Sequence, residues 1–315
     1  NGADGKDGKD GKDGNDGADG TDSPIASQAE FMHISFDDVT YCFQNLKNKA
    51  ATYTSLYDEP FFAWLKGLNE QYGAKFSLYV YNDSISGVSN KFAAEFLAAK
   101  DWLKIGLHAS NGSHQFTSAT YEQGKTAWNA FVDNVVRITG SYLNIDRIPR
   151  LHTFAGSLEA LRGMRDANCG ALGFLSADDS RLSYYFDTEL MQYMYSNDHV
   201  TDYENGLVFL TTDLRTDWFK SDFSSANTYN KPTEDNVYDE LVARYTNASY
   251  ANSISSYILF GHEWQFYTGS SLNSNKAWFE DACRFADEYG IDFDYAQNRK
   301  LSPTKEDIYP ETTVS

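Results

Sequence analysis

Residues 31–39 read Phe-Met-His-Ile-Ser-Phe-Asp-Asp-Val, and the reading of this stretch decides the fold. Apolar Phe31, Ile34 and Phe36 around Ser35 predict a β-strand, and the strand runs directly into two adjacent carboxylates, Asp37 and Asp38. Successive side chains of a strand face opposite ways, so two neighbouring acids share a pocket only where the strand is ending. That placement suits the C-terminal mouth of a parallel β/α structure, where catalytic groups gather. An Asp-Asp pair also serves as a plain strand stop and turn. Its meaning therefore depends on what lies at the other strand ends.

Outward from this strand the pattern alternates. Helices are predicted over Tyr41–Lys49 and Pro60–Tyr72, the second with Phe61, Phe62, Leu65 and Leu68 on one stripe and Gly73 as its stop. Lys75–Tyr81 reads as a strand, Lys91–Trp102 as a helix and Leu103–Ser110 as a strand. Thr120–Thr139 is a long helix capped by Thr120 and closed by Gly140. Ile148–Ala155 then reads as a strand, Ser157–Asn168 as a helix and Ala171–Ala177 as a strand. Residues 180–205 are tyrosine-rich and irregular, an excursion over the mouth. Strands at Gly206–Asp213 and Tyr257–His262 bracket a helix at Glu234–Tyr245. The amphipathic helix Asn275–Tyr289 ends at Gly290, and Ile291–Tyr295 makes a last short strand. Strands alternating with crossover helices predict a parallel sheet. The expected architecture is α/β, a distorted seven-stranded (β/α) barrel over residues 24–300. No Gly-x-Gly-x-x-Gly follows the first strand and no phosphate-binding Gly-rich loop occurs, which disfavours a nucleotide fold.

Residues 1–23 hold a strict repeat, with glycine at 2, 5, 8, 11, 14, 17 and 20 and each triplet ending in Asp. Glycine at every third position is the collagen signature. Without proline, and with only seven triplets, the tract reads as a hydrated, charged tether. Such a tether resembles the segment behind the lipid-anchored cysteine of bacterial surface lipoproteins. That resemblance implies an extracellular or cell-surface setting, with membrane attachment only through an upstream anchor. Residues 301–315 read as a polar tail. The whole 315-residue chain carries a formal charge of −19, a poor match for nucleic acid or anionic lipid. Cys42, Cys169 and Cys283 are too few and too scattered for a disulfide framework or a thiolate cluster.

The predicted strand ends carry the polar residues. Beyond Asp37 and Asp38, they offer His108 with His114 six residues on, then Arg150 with His152 facing the same way. Asp178-Asp179 and finally His262 followed by Glu263 and Trp264 complete the series. Four of the six histidines lie at or just past such ends. One carboxylate and two imidazoles make a three-ligand site for Zn²⁺, or for Co²⁺ or Ni²⁺, with a fourth position open. A second, unligated carboxylate beside it can take a proton, and a separate imidazole can give one. Asp38, His108 and His114 fit the ligand set, Asp37 the base and His262 the acid.

These residues resemble the polysaccharide deacetylases of the NodB-homology type, carbohydrate esterase family four. The first motif of that family appears as Ser35-Phe36-Asp37-Asp38, and the fifth as Ile258-Leu259-Phe260-Gly261-His262. The second is approximated by His108-Ala-Ser-Asn-Gly-Ser-His114, with Ala109 where Ser or Thr is usual and His114 two residues late. The third maps onto Arg150 with Gly156 after it, and the fourth onto Asp178 or Asp179 as the partner of that arginine. The resemblance spans roughly residues 31–297. It implies removal of acetyl groups from a glycan, with a divalent metal and a backbone amide near Tyr41 facing the developing oxyanion. Trp264, Tyr267 and the tyrosines of 184–195 are candidates to stack on sugar faces. The rival expectation is a catalytically silent, surface-tethered glycan-binding domain on the same fold. The altered second motif favours it, and retention of both Asp37 and Asp38 opposes it.

Overall fold

The computed structural model describes residues 31–113, 115–177, 183–194, 197, 199–212, 214–215, 219–220, 229–230, 237–246, 256–268, 271–272 and 276–298. The expected tether and tail, His114, and Asp178-Asp179 lie outside these residues. The first strand, β1, forms as Phe31–Val39. Parallel ladders join it to β2 (Phe76–Tyr81) on one side and to β10 (Ser256–His262) on the other. Two more strands extend this sheet, β3 (Leu103–Ala109) beyond β2 and β7 (Leu214–Arg215) beyond β10. A second sheet has the order β4 (Phe174–Ser176), β6 (Leu207–Thr211), β5 (His199–Asp202). Two-residue ladders pair β8 (Phe219–Lys220) with β9 (Tyr229–Asn230) and β11 (Tyr267–Thr268) with β12 (Ser271–Leu272).

Helices form where the sequence supplies both a stripe and its stops. After α1 (Tyr41–Asn48), α2 (Pro60–Tyr72) starts with Pro60 in its first turn and ends at Gly73 in the left-handed region, φ 71°. Short helices α3 (Asn82–Ile85) and α4 (Ala93–Ala98) precede α5 (Tyr121–Thr139). A Thr120–Gln123 capping box opens α5, and Gly140 closes it. Next come α6 (Leu158–Arg165), α7 (Thr188–Met194), α8 (Val237–Thr246) and α9 (Lys276–Glu288). No helix among the described residues is long and apolar enough to cross a membrane.

Three expectations are corrected. Residues 148–155 are not a strand: an extended run through Pro149 turns into a short 3₁₀ segment, His152–Phe154, with Thr153 and Phe154 at positive φ. Proline brings no N–H to a ladder, so this run bridges the two sheets through isolated bonds instead. On one side the Asp146 amide donates to the Ile105 carbonyl (2.8 Å). On the other the Leu172 and Leu175 amides donate to the Arg147 and Pro149 carbonyls (2.7 and 2.9 Å). Ile291–Tyr295 likewise makes only a bridge to Met32. The region 180–205 contains α7 and β5 where an irregular excursion was expected.

Alternation along β1 organises the interior. Met32, Ile34 and Phe36 face the helices. Phe36 alone meets Phe61, Phe266 and Phe279 at ring separations of 5.1, 5.6 and 4.5 Å. His33, Ser35 and Asp37 face the other way, into a polar interior. There His33 Nε2 pairs with the Tyr79 hydroxyl (3.1 Å) and Arg150 reaches Ser35 and Asp37. The matching positions two apart on β2 are Ser77, Tyr79 and Tyr81, and on β3 Lys104, Gly106 and His108. Gly106 is required here, because a Cβ would lie 2.4 Å from the Tyr79 ring. The inward columns of three strands thus climb to Asp37, Tyr81 and His108 at one mouth.

Candidate metal centre and active site

Asp38 departs from the strand that carries it. Its φ is +56°, a left-handed conformation that costs a non-glycine residue on the order of 1–3 kcal/mol and persists only where the surroundings over-determine it. The β1–β2 register slips between Phe36 and Val39. The departure cancels strand alternation, so Asp37 and Asp38 both open on the mouth. Tyr81 donates its hydroxyl to Asp38 Oδ1, and the Trp264 indole donates to Oδ2 at 3.2 Å. His108 Nε2 lies 3.3 Å from Oδ1.

His108 is buried, and its Nδ1 bonds the Arg150 backbone carbonyl at 2.6 Å. A carbonyl only accepts, so Nδ1 carries a proton and Nε2 is the nitrogen that faces Asp38, able to donate to its carboxylate when the ring is charged or to offer a lone pair to a cation. In the neutral ring this is the tautomer a metal-binding imidazole needs. Ligand atoms of Asp38, His108 and a third residue, His152, all lie within 4.8 Å of one another. The left-handed turn at Thr153–Phe154 delivers His152, whose ring stands 5.2 Å from that of His108 and 5.6 Å from that of Tyr81. The charges follow this arrangement. Burial alone would raise the Asp38 carboxyl, but His108 and the Tyr81 hydroxyl hold it well below the usual carboxylate range. Burial would lower His108, but Asp37, Asp38 and the Arg150 carbonyl outweigh it and raise it.

Asp37 is buried and ion-paired. Arg150 Nη1 donates to Asp37 Oδ1 at 2.9 Å and to Ser35 Oγ at 3.0 Å, while its Nε and Nη2 reach Thr212 Oγ1. The guanidinium lies on the Phe260 ring, 4.1 Å from its centroid. Arg150 thus pairs with Asp37; Asp178 and Asp179, the acids expected to pair with it, lie outside the described residues. His262 stands opposite Asp37 in the β1–β10 register, beside the Trp264 ring at 5.6 Å. A cleft of about 310 Å³ opens over Asp38, lined by Thr40, Tyr41, Gln44, Tyr81 and Trp264.

The structure therefore brings together Asp37, Asp38, His108, Arg150 and His262. His114 and Asp178 lie outside the described residues, so their expected roles are neither met nor replaced by this geometry. The Tyr41 amide expected at the oxyanion is already committed. The amides of Thr40, Tyr41 and Cys42 all donate to the buried Glu263 carboxylate at 2.6, 2.7 and 2.7 Å. Burial pushes that carboxyl up to about 7 against the pull of the three amides. Sequence reasoning placed His152 and Glu263 at strand ends without giving either a role, and it passed over Tyr81. For His152 the signal was a histidine two places after Arg150 in a predicted strand. Tyr81 ended its strand as the acids ended theirs.

No family model matches this chain, and no curated protein matches it. Among solved structures, a Mycobacterium smegmatis protein provisionally assigned as a polysaccharide deacetylase is similar over 90% of this chain and 87% of its own. The identity is 11% and the TM-score 0.49. The functional reading rests on the residues of the site.

Proposed function

We propose that the protein is a metal-dependent hydrolase that removes acetyl groups from a glycan at the cell surface. The observation that carries the reading is the convergence of Asp38, His108 and His152 within 4.8 Å, with the buried carboxylate of Asp37 on the adjacent residue. The donor chemistry fits a divalent ion: one carboxylate oxygen and two imidazole nitrogens suit Zn²⁺ first, then Co²⁺ or Ni²⁺. The His108 ring is already oriented for it. Asp38, His108 and His152 would hold the ion, which supplies Lewis acidity toward an acetyl carbonyl and toward water.

The rest falls to the chain's own side chains. Arg150 holds Asp37 by Oδ1, so Asp37 would take the proton of the attacking water through Oδ2. His262, across the mouth on β10, would carry the proton that the departing sugar nitrogen or oxygen needs. Half-exposed Tyr41 and Trp264 flank the cleft and offer ring faces to a sugar. The acidic Gly-X-Asp tract supports a tethered, extracellular setting. Acetate release from acetylated chitooligosaccharide, acetylated xylan and peptidoglycan tests the proposal. Wild type should release acetate from one of them, and Asp37→Asn should lose at least about 10²-fold, the scale of general-base catalysis. Glycan binding with no acetate from any of the three would support the silent binding domain instead.

A further inference from the structure

We infer that the dipeptide Glu263-Trp264 is the positioning element for Asp38, a role that rests on Asp38 serving as a metal ligand. Helix α1 has threonine at its N-cap, a residue that ordinarily bonds the first-turn amides with its own hydroxyl, yet Thr40 makes no such bond. Glu263 makes it instead, from a point more than 220 residues away in sequence. Its carboxylate is fully buried and accepts three consecutive amides, so both oxygens are spent on the turn that follows Asp38. On the other side of Asp38, β1 is fixed to β10 through the Asp37–His262 pairing. Asp38 is thus held between two anchors, and both belong to one run, His262-Glu263-Trp264.

Trp264 completes the grip. Its indole N–H takes Oδ2 of Asp38, while Oδ1, which also accepts the Tyr81 hydroxyl, is the oxygen facing His108 Nε2 at 3.3 Å. Glu263 therefore sets the backbone that keeps Asp38 at positive φ, and Trp264 chooses which oxygen meets the imidazoles. Hydrogen-bonding partners of metal ligands, when removed, typically cost ten- to a hundredfold in metal affinity. Neither residue touches the candidate ion position, so their effect would reach it only through Asp38. This also separates their role from that of Asp37, whose partner is Arg150.

The test is Zn²⁺ titration of chelator-stripped full-length protein by calorimetry, with the visible spectrum of the Co²⁺-loaded form as a report on ligand geometry. Glu263→Gln keeps the size but turns an N–H₂ toward amides that are themselves donors. It should weaken Zn²⁺ binding about ten- to a hundredfold and change the Co²⁺ bands. Trp264→Phe, at a half-exposed position that leaves the core alone, should weaken binding up to about tenfold and also change the bands. If Glu263→Gln fails to fold, Trp264→Phe decides alone. Wild-type affinity and unchanged Co²⁺ bands in every variant that folds overturn the inference while the metal site stands. A wild-type protein that takes up neither ion overturns the metal reading itself, and the inference with it.

Discussion

Replacing His152 by alanine removes the ligand candidate that the structure adds to Asp38 and His108, and the cost can be worked out. Four-ligand zinc sites bind with apparent free energies of about 10–16 kcal/mol, or roughly 2.5–4 kcal/mol per ligand. Loss of one of three protein ligands should therefore raise the dissociation constant on the order of 10²–10³-fold. The fold should survive, because His152 is half-buried on a short 3₁₀ segment at the mouth, its ring beside those of Tyr81 and His108 at 5.6 and 5.2 Å. Calorimetric titration of Zn²⁺ into chelator-stripped His152→Ala, beside His114→Ala, reads the difference directly. The expected result is a large loss for His152→Ala and a small one for His114→Ala. Binding by His152→Ala within threefold of wild type would refute the assignment, and a loss confined to His114→Ala would return the third ligand to the residue first expected from sequence.

Two further predictions concern the polar interior. Arg150→Met leaves Asp37 buried without the guanidinium that now bonds it at 2.9 Å. Breaking a buried pair from one side costs about 3–5 kcal/mol, so chemical denaturation should show a loss of that size, and a loss below about 1 kcal/mol would contradict the pairing. His33 is buried beside Tyr79, and burial lowers its pKa to about 4. The unfolded chain then binds this proton below about 6.5 while the folded chain resists it to about 4. Stability should fall as pH drops through that window, by about 3 kcal/mol from this group alone. His33→Gln should abolish that component, and parallel stability–pH curves for the two proteins would count against it.

Much of the scaffold was legible because its punctuation is local. Pro60 and Gly73 bound α2, Thr120 and Gly140 bound α5, and the alternation in 31–39 marks β1 together with the acids at its end. What failed depended on tertiary facts. The run through Pro149 looked like a strand from its apolar content, but its partners are two different sheets and its end is a left-handed turn. That turn sits at Thr153, a β-branched residue that rarely takes positive φ, so the local sequence did not announce the bend that brings His152 beside Asp38 and His108. Arg150 was expected to seek an acid further along the chain. Its pairing with Asp37 runs through the interior between residues 113 apart in sequence, and the acids first expected to meet it, Asp178 and Asp179, lie outside the described residues. Glu263 was named only as the residue that follows His262, and its burial against three amides is visible only once β10 lies beside β1.

Acetate release with and without metal tests the central claim most directly. Protein stripped by a chelator and assayed on the acetylated glycan that wild type accepts should be inactive. Activity should return on adding stoichiometric Zn²⁺ to wild type, and should not return for Asp38→Ala or His108→Ala. Full activity in the stripped protein, or equal recovery by the Asp38→Ala variant, would contradict the account.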